Sequence, residues 1–301
     1  MWSHIRVWFG SLRQLYRTRI SQYVFITIVI GSGILLIGIG LIIAKDYRHR
    51  APAIYTKKRL ILIPTSVPTP TPPVSVRLPI IMYHYVEYVK ETNDIVKKRL
   101  AINPALFEAQ LKEFQKEGYV TYFARDIPDI LSGKIKPASH SIVLTFDDGY
   151  EDFYTVAVPI LQKYNMKGTD FVIYDFLDRK GFLTKQQVKE LAQNPLVEIG
   201  AHTLDHVYLK VVPDSVARKQ IVESKTDLEV LTGKPVETFA YPYGAYNNDT
   251  ANIIKEASFT AALSTNFGVI QTQSKQFILS RVRAGALIPQ YETAFLNSIQ
   301  K

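Results

Sequence analysis

Two short segments of the chain carry the residue types of a catalytic metal site. Asp147 and Asp148 are adjacent in the segment Thr-Phe-Asp-Asp-Gly, and His202 and His206 lie four residues apart in His-Thr-Leu-Asp-His. One carboxylate and two neutral imidazoles form a three-ligand set that suits zinc or a similar divalent ion and leaves a coordination position open for water. The second carboxylate is then free to act as a base.

Each segment also has an ordinary structural explanation. Asp-Asp-Gly is a common turn sequence, and a four-residue spacing of two histidines can arise by chance. The two segments nevertheless share a context, because an apolar strand pattern over residues 141–146 ends at the aspartates and a second pattern over residues 198–201 ends at His202. Active sites of α/β folds lie at the carboxyl ends of parallel strands. We therefore expect both segments to lie at one end of a sheet.

The positive charge of the chain is confined to its N-terminal part. Residues 1–60 contain ten of the 36 Lys/Arg and one of the 27 Asp/Glu, so the rest of the chain has 26 of each and is neutral. A neutral domain behind a basic flank argues against a nucleic-acid partner and favours anionic lipid headgroups. The chain has no cysteine, so any metal must be held by His, Asp or Glu.

Four regions follow from composition. Residues 20–44 contain no charged side chain and are long enough to cross a bilayer as a helix. A cleaved signal peptide would have a shorter apolar region and a small-residue cleavage site, whereas this run continues into Lys45. We predict a basic N-terminal segment over residues 1–19, a transmembrane anchor over 20–44, a basic then Pro/Thr-rich linker over 45–77 and a folded domain over 78–301. Basic residues flank the span on both sides, so charge alone does not set its orientation.

Short apolar strand patterns alternate with amphipathic helical patterns in the folded domain. This alternation predicts a parallel sheet with helical crossovers, and periodicity does not decide between an open sheet and a closed barrel. Predicted strands cover residues 80–83, 142–146, 170–173, 197–199, 238–241, 260–263 and 277–279; predicted helices cover 104–117, 152–164, 185–193, 214–231 and 249–256.

Three motifs together resemble one enzyme family. Leu-Thr-Phe-Asp-Asp-Gly-Tyr (144–150), the histidine segment 202–206 and Phe-Ala-Tyr-Pro-Tyr-Gly (239–244) are similar in order and spacing to the motifs of the polysaccharide deacetylases, the NodB-homology domain or carbohydrate esterase family 4. The resemblance covers about residues 78–283. It implies a distorted (β/α) barrel of the NodB-homology type and removal of N-acetyl groups from N-acetylglucosamine-containing polymers.

The resemblance also implies roles for individual residues. Asp148, His202 and His206 correspond to metal ligands, and Asp147 corresponds to the catalytic base. Tyr241, Pro242 and Tyr243 correspond to substrate-binding positions, with a backbone N–H near Tyr243 at the oxyanion. The expected cofactor is a divalent metal, Zn²⁺ first and Co²⁺ or Ni²⁺ as alternatives. The expected partners are an N-acetylated polysaccharide and, through the anchor, membrane lipid. Since such polymers lie outside the cell, we expect a cytoplasmic N-terminus and an extracellular catalytic domain.

Two positions depart from the usual family pattern. Many members have a base-orienting arginine where this chain has Ala240, and the usual late Leu-x-His, the source of the catalytic acid, corresponds here to Leu279-Ser280-Arg281. His84 follows the first predicted strand and resembles the early acid of the poly-N-acetylglucosamine deacetylase subgroup, whose third motif also typically reads Phe-Ala-Tyr-Pro. Arg281 and Arg283 alternate on the last predicted strand and contact either the sugar, a catalytic carboxylate or solvent.

Two other functions compete with deacetylation. Paired acids also cleave glycosidic bonds, but glycosidase carboxylates are separated by roughly 5 Å or more across the bond, which adjacent aspartates beside two histidines do not resemble. A non-catalytic carbohydrate-binding domain on a membrane stalk is the second alternative. Ala240 and the absent late histidine are the features that support it.

Overall fold

The computed structural model describes residues 75–89 and 93–284. The predicted cytoplasmic segment, the anchor and nearly all of the linker lie outside these residues. Within the described ranges, no helix has the length and hydropathy that a bilayer span requires.

Twelve strands are present in the described residues, and all those of the main sheet are parallel. In chain order they are β1 (Ser75–Arg77), β2 (Ile80–Tyr83), β3 (Tyr85–Val86), β4 (Ala101–Ile102), β5 (Val120–Tyr122), β6 (Ser141–Asp148), β7 (Gly168–Val172), β8 (Val197–Ala201), β9 (Thr238–Ala240), β10 (Ala261–Phe267), β11 (Ile270–Thr272) and β12 (Leu279–Arg283). The main sheet runs β2-β12-β10-β9-β8-β7-β6-β5. Pairing of β2 with β6, from Ile80 opposite Val143 to Tyr83 opposite Phe146, closes seven of these strands into a barrel.

Helices connect several of the successive strands, and the longer helices pack against the outer face of the barrel. They are α1 (Ile95–Leu100), α2 (Pro104–Lys116), α3 (Ile127–Leu131), α4 (Val158–Lys163, preceded by a π-helical turn at Phe153–Ala157), α5 (Lys185–Leu191), α6 (Asp214–Thr232) and α7 (Asn248–Glu256). Local sequence sets their ends. The Asn103 side chain accepts from the Ala105 N–H before Pro104 at the start of α2, and Gly233 at φ 69° ends α6 in the left-handed conformation that glycine tolerates.

The strands are buried on both faces, which explains their nearly continuous apolar sequences. One set of alternate residues fills the barrel interior and includes Ile80, Val143 and Phe171. The other set packs against the helices and includes Ile81, Leu144 and Val172. The interior is tight: a Cβ on Gly200 would lie 2.5 Å from the Phe171 ring, so a larger residue at this position would displace that ring.

The predicted elements are present, with shifts at their ends. The seven predicted strands correspond to the barrel strands, and the structure supplies the closure that periodicity left undecided. The largest shift is in the last strand, predicted at 277–279 and observed as Leu279–Arg283. The sequence analysis missed β5 and the short helices α1 and α3, because three to six residues carry too little periodic signal.

Asp170 is a buried carboxyl in the outer, apolar face of β7. It lies opposite Phe146 and Ile199 in the neighbouring strands, and neither of its oxygens has a hydrogen-bond partner within the described residues. Burial raises the pKa of Asp170 well above its ordinary value, and the charges of Asp147, Asp148 and Asp152 raise it further. Ionisation of this carboxyl is therefore disfavoured in the folded protein.

We expect Asp170→Asn to change the pH dependence of stability. The folded state retains a proton that the unfolded chain releases above about pH 3.9, so the wild type loses stability as pH rises toward the raised pKa of Asp170. Asn keeps the shape without ionising, so the stability of the variant relative to wild type should increase between pH 5 and pH 8. Chemical unfolding across this range measures the effect, with the exposed Asp175→Asn as the control. A stability difference that is constant with pH would contradict this account.

Candidate active site

The chemically active side chains gather at one rim of the barrel. Each follows or ends a parallel strand, so strand direction alone brings together segments that are distant in sequence. A cavity of about 360 Å³ opens at this rim and is lined by His84, Val96, Arg99, Leu100, Asp147, Asp148, His202, His206, Tyr243, Thr265 and Arg283.

Asp148, His202 and His206 form a compact cluster of potential metal ligands. Asp148 Oδ1 lies 3.4 Å from His202 Nε2 and 3.3 Å from His206 Nε2. Ligand atoms placed tetrahedrally about 2.1 Å from a zinc ion would be roughly 3.4 Å apart. Asp148 Oδ1 is also buried and accepts no hydrogen bond within the described residues. A cation bound there would satisfy this oxygen. The three side chains therefore fit a divalent metal.

The imidazole of His202 is held in the orientation that a ligand needs. Its Nδ1 lies 2.7 Å from the carbonyl oxygen of Ala240. A carbonyl only accepts, so Nδ1 carries the proton and Nε2 is left with its lone pair toward Asp148. The backbone at Ala240 thus positions the metal site even though the side chain of this residue is a methyl group.

The protonation of the two histidines is set by burial and by the aspartates. Burial lowers the pKa of His202, but the close contact with Asp148 and the charges of both aspartates outweigh it and raise the pKa overall. Burial lowers the pKa of His206 to about 4. His206 is therefore neutral at pH 7, as a metal ligand must be, and a metal at the site would compete with a proton for His202.

Asp147 has a partner of its own, Arg281, and does not belong to the Asp148/His202/His206 cluster. The two residues form a bidentate pair, Nη1 to Oδ1 and Nη2 to Oδ2, each at 2.7 Å. Arg281 is fully buried and also donates to Thr145 Oγ1 and to the Ser264 carbonyl. Burial opposes ionisation of Asp147, but the Arg281 charge, with His202, more than offsets it, so the pKa of Asp147 lies below its ordinary value. The carboxyl group of Asp147 is therefore kept ionised.

Several site residues have left-handed backbone conformations. Asp148 (φ 84°), Thr203 (φ 68°), His206 (φ 63°) and Tyr243 (φ 59°) all lie in this region, which non-glycine residues adopt only when the surroundings hold them there. For His206 the support is visible, because its N–H donates to Thr203 Oγ1 at 2.9 Å. Sharp turns at the strand ends thus aim these side chains into the cavity.

His84 and Tyr243 also line the cavity. Burial is the largest influence on the pKa of His84 and lowers it; Asp147 and Asp148 oppose this effect, whereas Arg281 and Arg283 add to it. The Tyr243 ring packs 4.5 Å from that of His206 and remains 62% exposed. It therefore presents an aromatic face at the cavity mouth.

The structure does not bring every predicted site residue to the cavity. Tyr241 is fully buried in the outer layer, where its hydroxyl donates to the Phe277 carbonyl. Pro242 is also buried and shapes the turn that carries Tyr243. Both residues support the turn, and of the three predicted substrate-binding residues Tyr243 is the one that lines the cavity.

Sequence reasoning left the partner of Asp147 open and missed part of the cavity wall. Arg281 lies 134 residues from Asp147, and its position on a strand was the available signal, since alternation pointed it and Arg283 to one side. Val96, Arg99 and Leu100 come from α1, a helix too short to predict.

A parallel barrel whose rim carries an Asp/His/His cluster that could hold a divalent metal, beside a carboxylate held by an arginine, is an arrangement suited to metal-assisted hydrolysis. The family model of polysaccharide deacetylases matches residues 134–262. YxkH of Bacillus subtilis, named a polysaccharide deacetylase, is 31% identical over 207 residues, 69% of this chain and 71% of that protein. The protein described here belongs to the polysaccharide deacetylase family.

Two further relatives extend this comparison. Poly-β-1,6-N-acetyl-D-glucosamine N-deacetylase of Staphylococcus aureus is 26% identical over 212 residues, covering 66% of this chain and 72% of that protein. The structure of the Streptococcus pyogenes deacetylase PplD, in complex with acetate, superposes with a TM-score of 0.68 at 31% identity and covers 76% of this chain and all of that one. The fold of the described domain is thus shared with a solved deacetylase.

Substitution of Arg281 should damage both stability and activity. Arg281→Gln leaves the buried Asp147 carboxylate without its cation, and breaking a buried ion pair costs about 3–5 kcal/mol of unfolding free energy. The pKa of Asp147 should rise, so the acid limb of the pH–rate profile should move to higher pH. Arg281→Lys keeps the charge but not the bidentate geometry and should give a smaller shift. Unchanged unfolding free energy and an unchanged acid limb in Arg281→Gln would contradict the role of this pair.

Proposed function

We propose that this protein is a membrane-anchored deacetylase that removes N-acetyl groups from an extracellular N-acetylglucosamine-containing polysaccharide. The observation that carries the proposal is the ligand-like cluster of Asp148, His202 and His206 beside the ionised Asp147. The names of the S. aureus and B. subtilis relatives support the substrate class. The uncharged run over residues 20–44 and the Pro/Thr-rich linker support an anchored domain that acts outside the cell.

The residues divide the reaction between them. Asp148, His202 and His206 would hold the metal, with Zn²⁺ the best match to two imidazoles and one carboxylate and Co²⁺ or Ni²⁺ as alternatives. A bound divalent ion supplies Lewis acidity toward the amide carbonyl and makes water a better nucleophile. Asp147 takes a proton from the attacking water, and Arg281 keeps Asp147 ionised and aimed for this step.

His84 provides the second proton transfer. The acetamide C–N bond breaks only if the leaving nitrogen is protonated, and a protonated imidazole can supply that proton. Because burial lowers the pKa of His84, this acid acts on the acidic side of the ordinary imidazole range. His84 lines the same cavity as Asp147, so a base and an acid flank the substrate. Water and the amide are thereby converted to acetate and an amine.

The structure also weakens the non-catalytic alternative. Ala240, in place of the usual arginine, was one of its two supporting features. Arg281 supplies a guanidinium to Asp147 from another strand, so the base retains an orienting cation without an arginine at position 240.

Deacetylation and its metal dependence can be tested on the full-length protein in detergent. We expect acetate release from N-acetylated chito-oligosaccharides or poly-N-acetylglucosamine, reversible loss of activity on chelation, and recovery with zinc, cobalt or nickel. Asp147→Asn should lose activity but keep metal, whereas His202→Ala should lose both. His140→Ala, an exposed histidine whose ring bonds the Glu117 carbonyl, is the matched control. Equal metal content in the Asp147 and His202 variants would contradict the division of roles, and activity that resists chelation would exclude the metal.

His84 should be identifiable from the alkaline side of the pH–rate profile. An acid must be protonated to act, so wild-type activity should fall as pH rises through the pKa of His84. His84→Gln should lower kcat by about 10²- to 10⁴-fold and remove this alkaline limb, while metal content stays at the wild-type value. An unchanged limb in an active His84→Gln variant would assign the acid to another group.

A further inference from the structure

Two arginines lie at the mouth of the candidate active site. Arg99 comes from α1 and Arg283 from the end of β12. Both line the cavity that contains His84, Asp147 and the potential metal ligands. Both side chains are exposed. The mechanism proposed above uses neither of them.

The other well-defined arginine contacts show how unusual this pair is. Arg281 binds Asp147 and Arg218 binds Glu256, whereas Arg125 and Arg179 lie over the rings of Phe123 and Phe176. Arg99 and Arg283 make none of these contacts within the described ranges. In this part of the chain, neither side chain has a carboxylate within ion-pair distance, a hydrogen bond or an aromatic ring beneath it. Both guanidinium groups are thus available to a ligand in the cavity.

The carboxylates in the cavity do not neutralise these two charges. Asp147 is engaged by Arg281 through both of its oxygens, and Asp148 is directed at the two histidines. A divalent ion at the cluster would make the cavity still more positive. A neutral N-acetylated sugar offers no compensating charge, whereas a carboxylate or phosphate does.

Strand geometry places Arg283 beyond the residue that holds Asp147. Arg283 is two residues beyond Arg281 on β12, which puts it on the same side of the strand and roughly 6.6 Å further toward the mouth. Since Arg281 holds the base, Arg283 lies about one sugar ring above it. Arg99 lies on the adjoining wall, beside Val96 and Leu100.

We propose that Arg99 and Arg283 form an anion subsite that binds a carboxylate or phosphate substituent on the deacetylated sugar or on its neighbour. The inference rests on the proposed function and narrows its substrate class to N-acetylglucosamine polymers that carry negative charge. Guanidinium groups suit this role because they bind both anions through paired hydrogen bonds.

Matched substrates test the subsite with full-length protein. The neutral substrate is N-acetylchitotetraose; the carboxylate substrate is a tetrasaccharide of alternating N-acetylglucosamine and N-acetylmuramic acid, with its methyl ester as the uncharged match; the phosphate substrate is N-acetylchitotetraose 1-phosphate. We expect wild-type kcat/KM to be at least tenfold higher for one charged substrate than for its uncharged match, with the preference decreasing as salt increases. Whichever charged substrate is preferred identifies the anion.

The variants Arg99→Gln and Arg283→Gln should reduce this preference. A hydrogen bond to a charged group corresponds to a roughly ten- to hundredfold effect, so each variant should lower the charged-to-uncharged ratio of kcat/KM by about tenfold or more, mainly through KM. Arg179→Gln, an exposed arginine that does not line the cavity, is the control and should keep the wild-type ratio.

Three outcomes would overturn the subsite. Wild-type protein that deacetylates charged and uncharged substrates equally has no anion preference. Variants that lose the same factor on both substrates show a structural role. If acetate inhibits the wild type but not Arg283→Gln, and no substrate preference is seen, the arginines bind the acetate product and not a substrate anion. Failure to release acetate from every substrate refutes the proposed function instead, so the two failures are distinguishable.

Discussion

The buried pair between Arg281 and Asp147 connects the barrel to its chemistry. Arg281 lies on the last strand, β12, and Asp147 lies near the end of β6, and both strands pair with β2 where the barrel closes. A charge buried in an apolar interior is costly unless it is paired, and each of these residues satisfies the other through two hydrogen bonds. The interaction therefore requires closure of the barrel, and closure in turn places an ionised carboxylate at the rim.

The two neighbouring carboxylates have different electrostatic partners. Asp147 points toward a permanent cation and Asp148 points toward two imidazoles that can exchange protons for a metal. Adjacent residues at a strand end face different directions, and the left-handed conformation of Asp148 accentuates the divergence. One carboxylate is therefore placed to act as a base and the other to act as a ligand, although the two are neighbours in the chain.

Position 240 contributes to the site through its backbone. The side chain of Ala240 contributes no charge, yet its carbonyl orients His202. The guanidinium that binds Asp147 is supplied by Arg281, which reaches it from the barrel interior. The orientation of Asp147 therefore depends on Arg281, and Arg283, two positions further along, is left available for the proposed anion subsite.

The sequence by itself determined the elements and most of the site. Asp147, Asp148, His202 and His206 were recognisable because their spacing and their positions after apolar strands depend on local pattern, and the alternation of strands and helices implied a parallel sheet. Periodicity left closure of the sheet open, although the family resemblance implied a barrel. Tertiary structure alone decided that Arg281 binds Asp147, that Tyr241 is buried and that α1 contributes to the cavity wall. These features depend on contacts between residues far apart in the chain, and local periodicity contains no information about which distant side chains will meet.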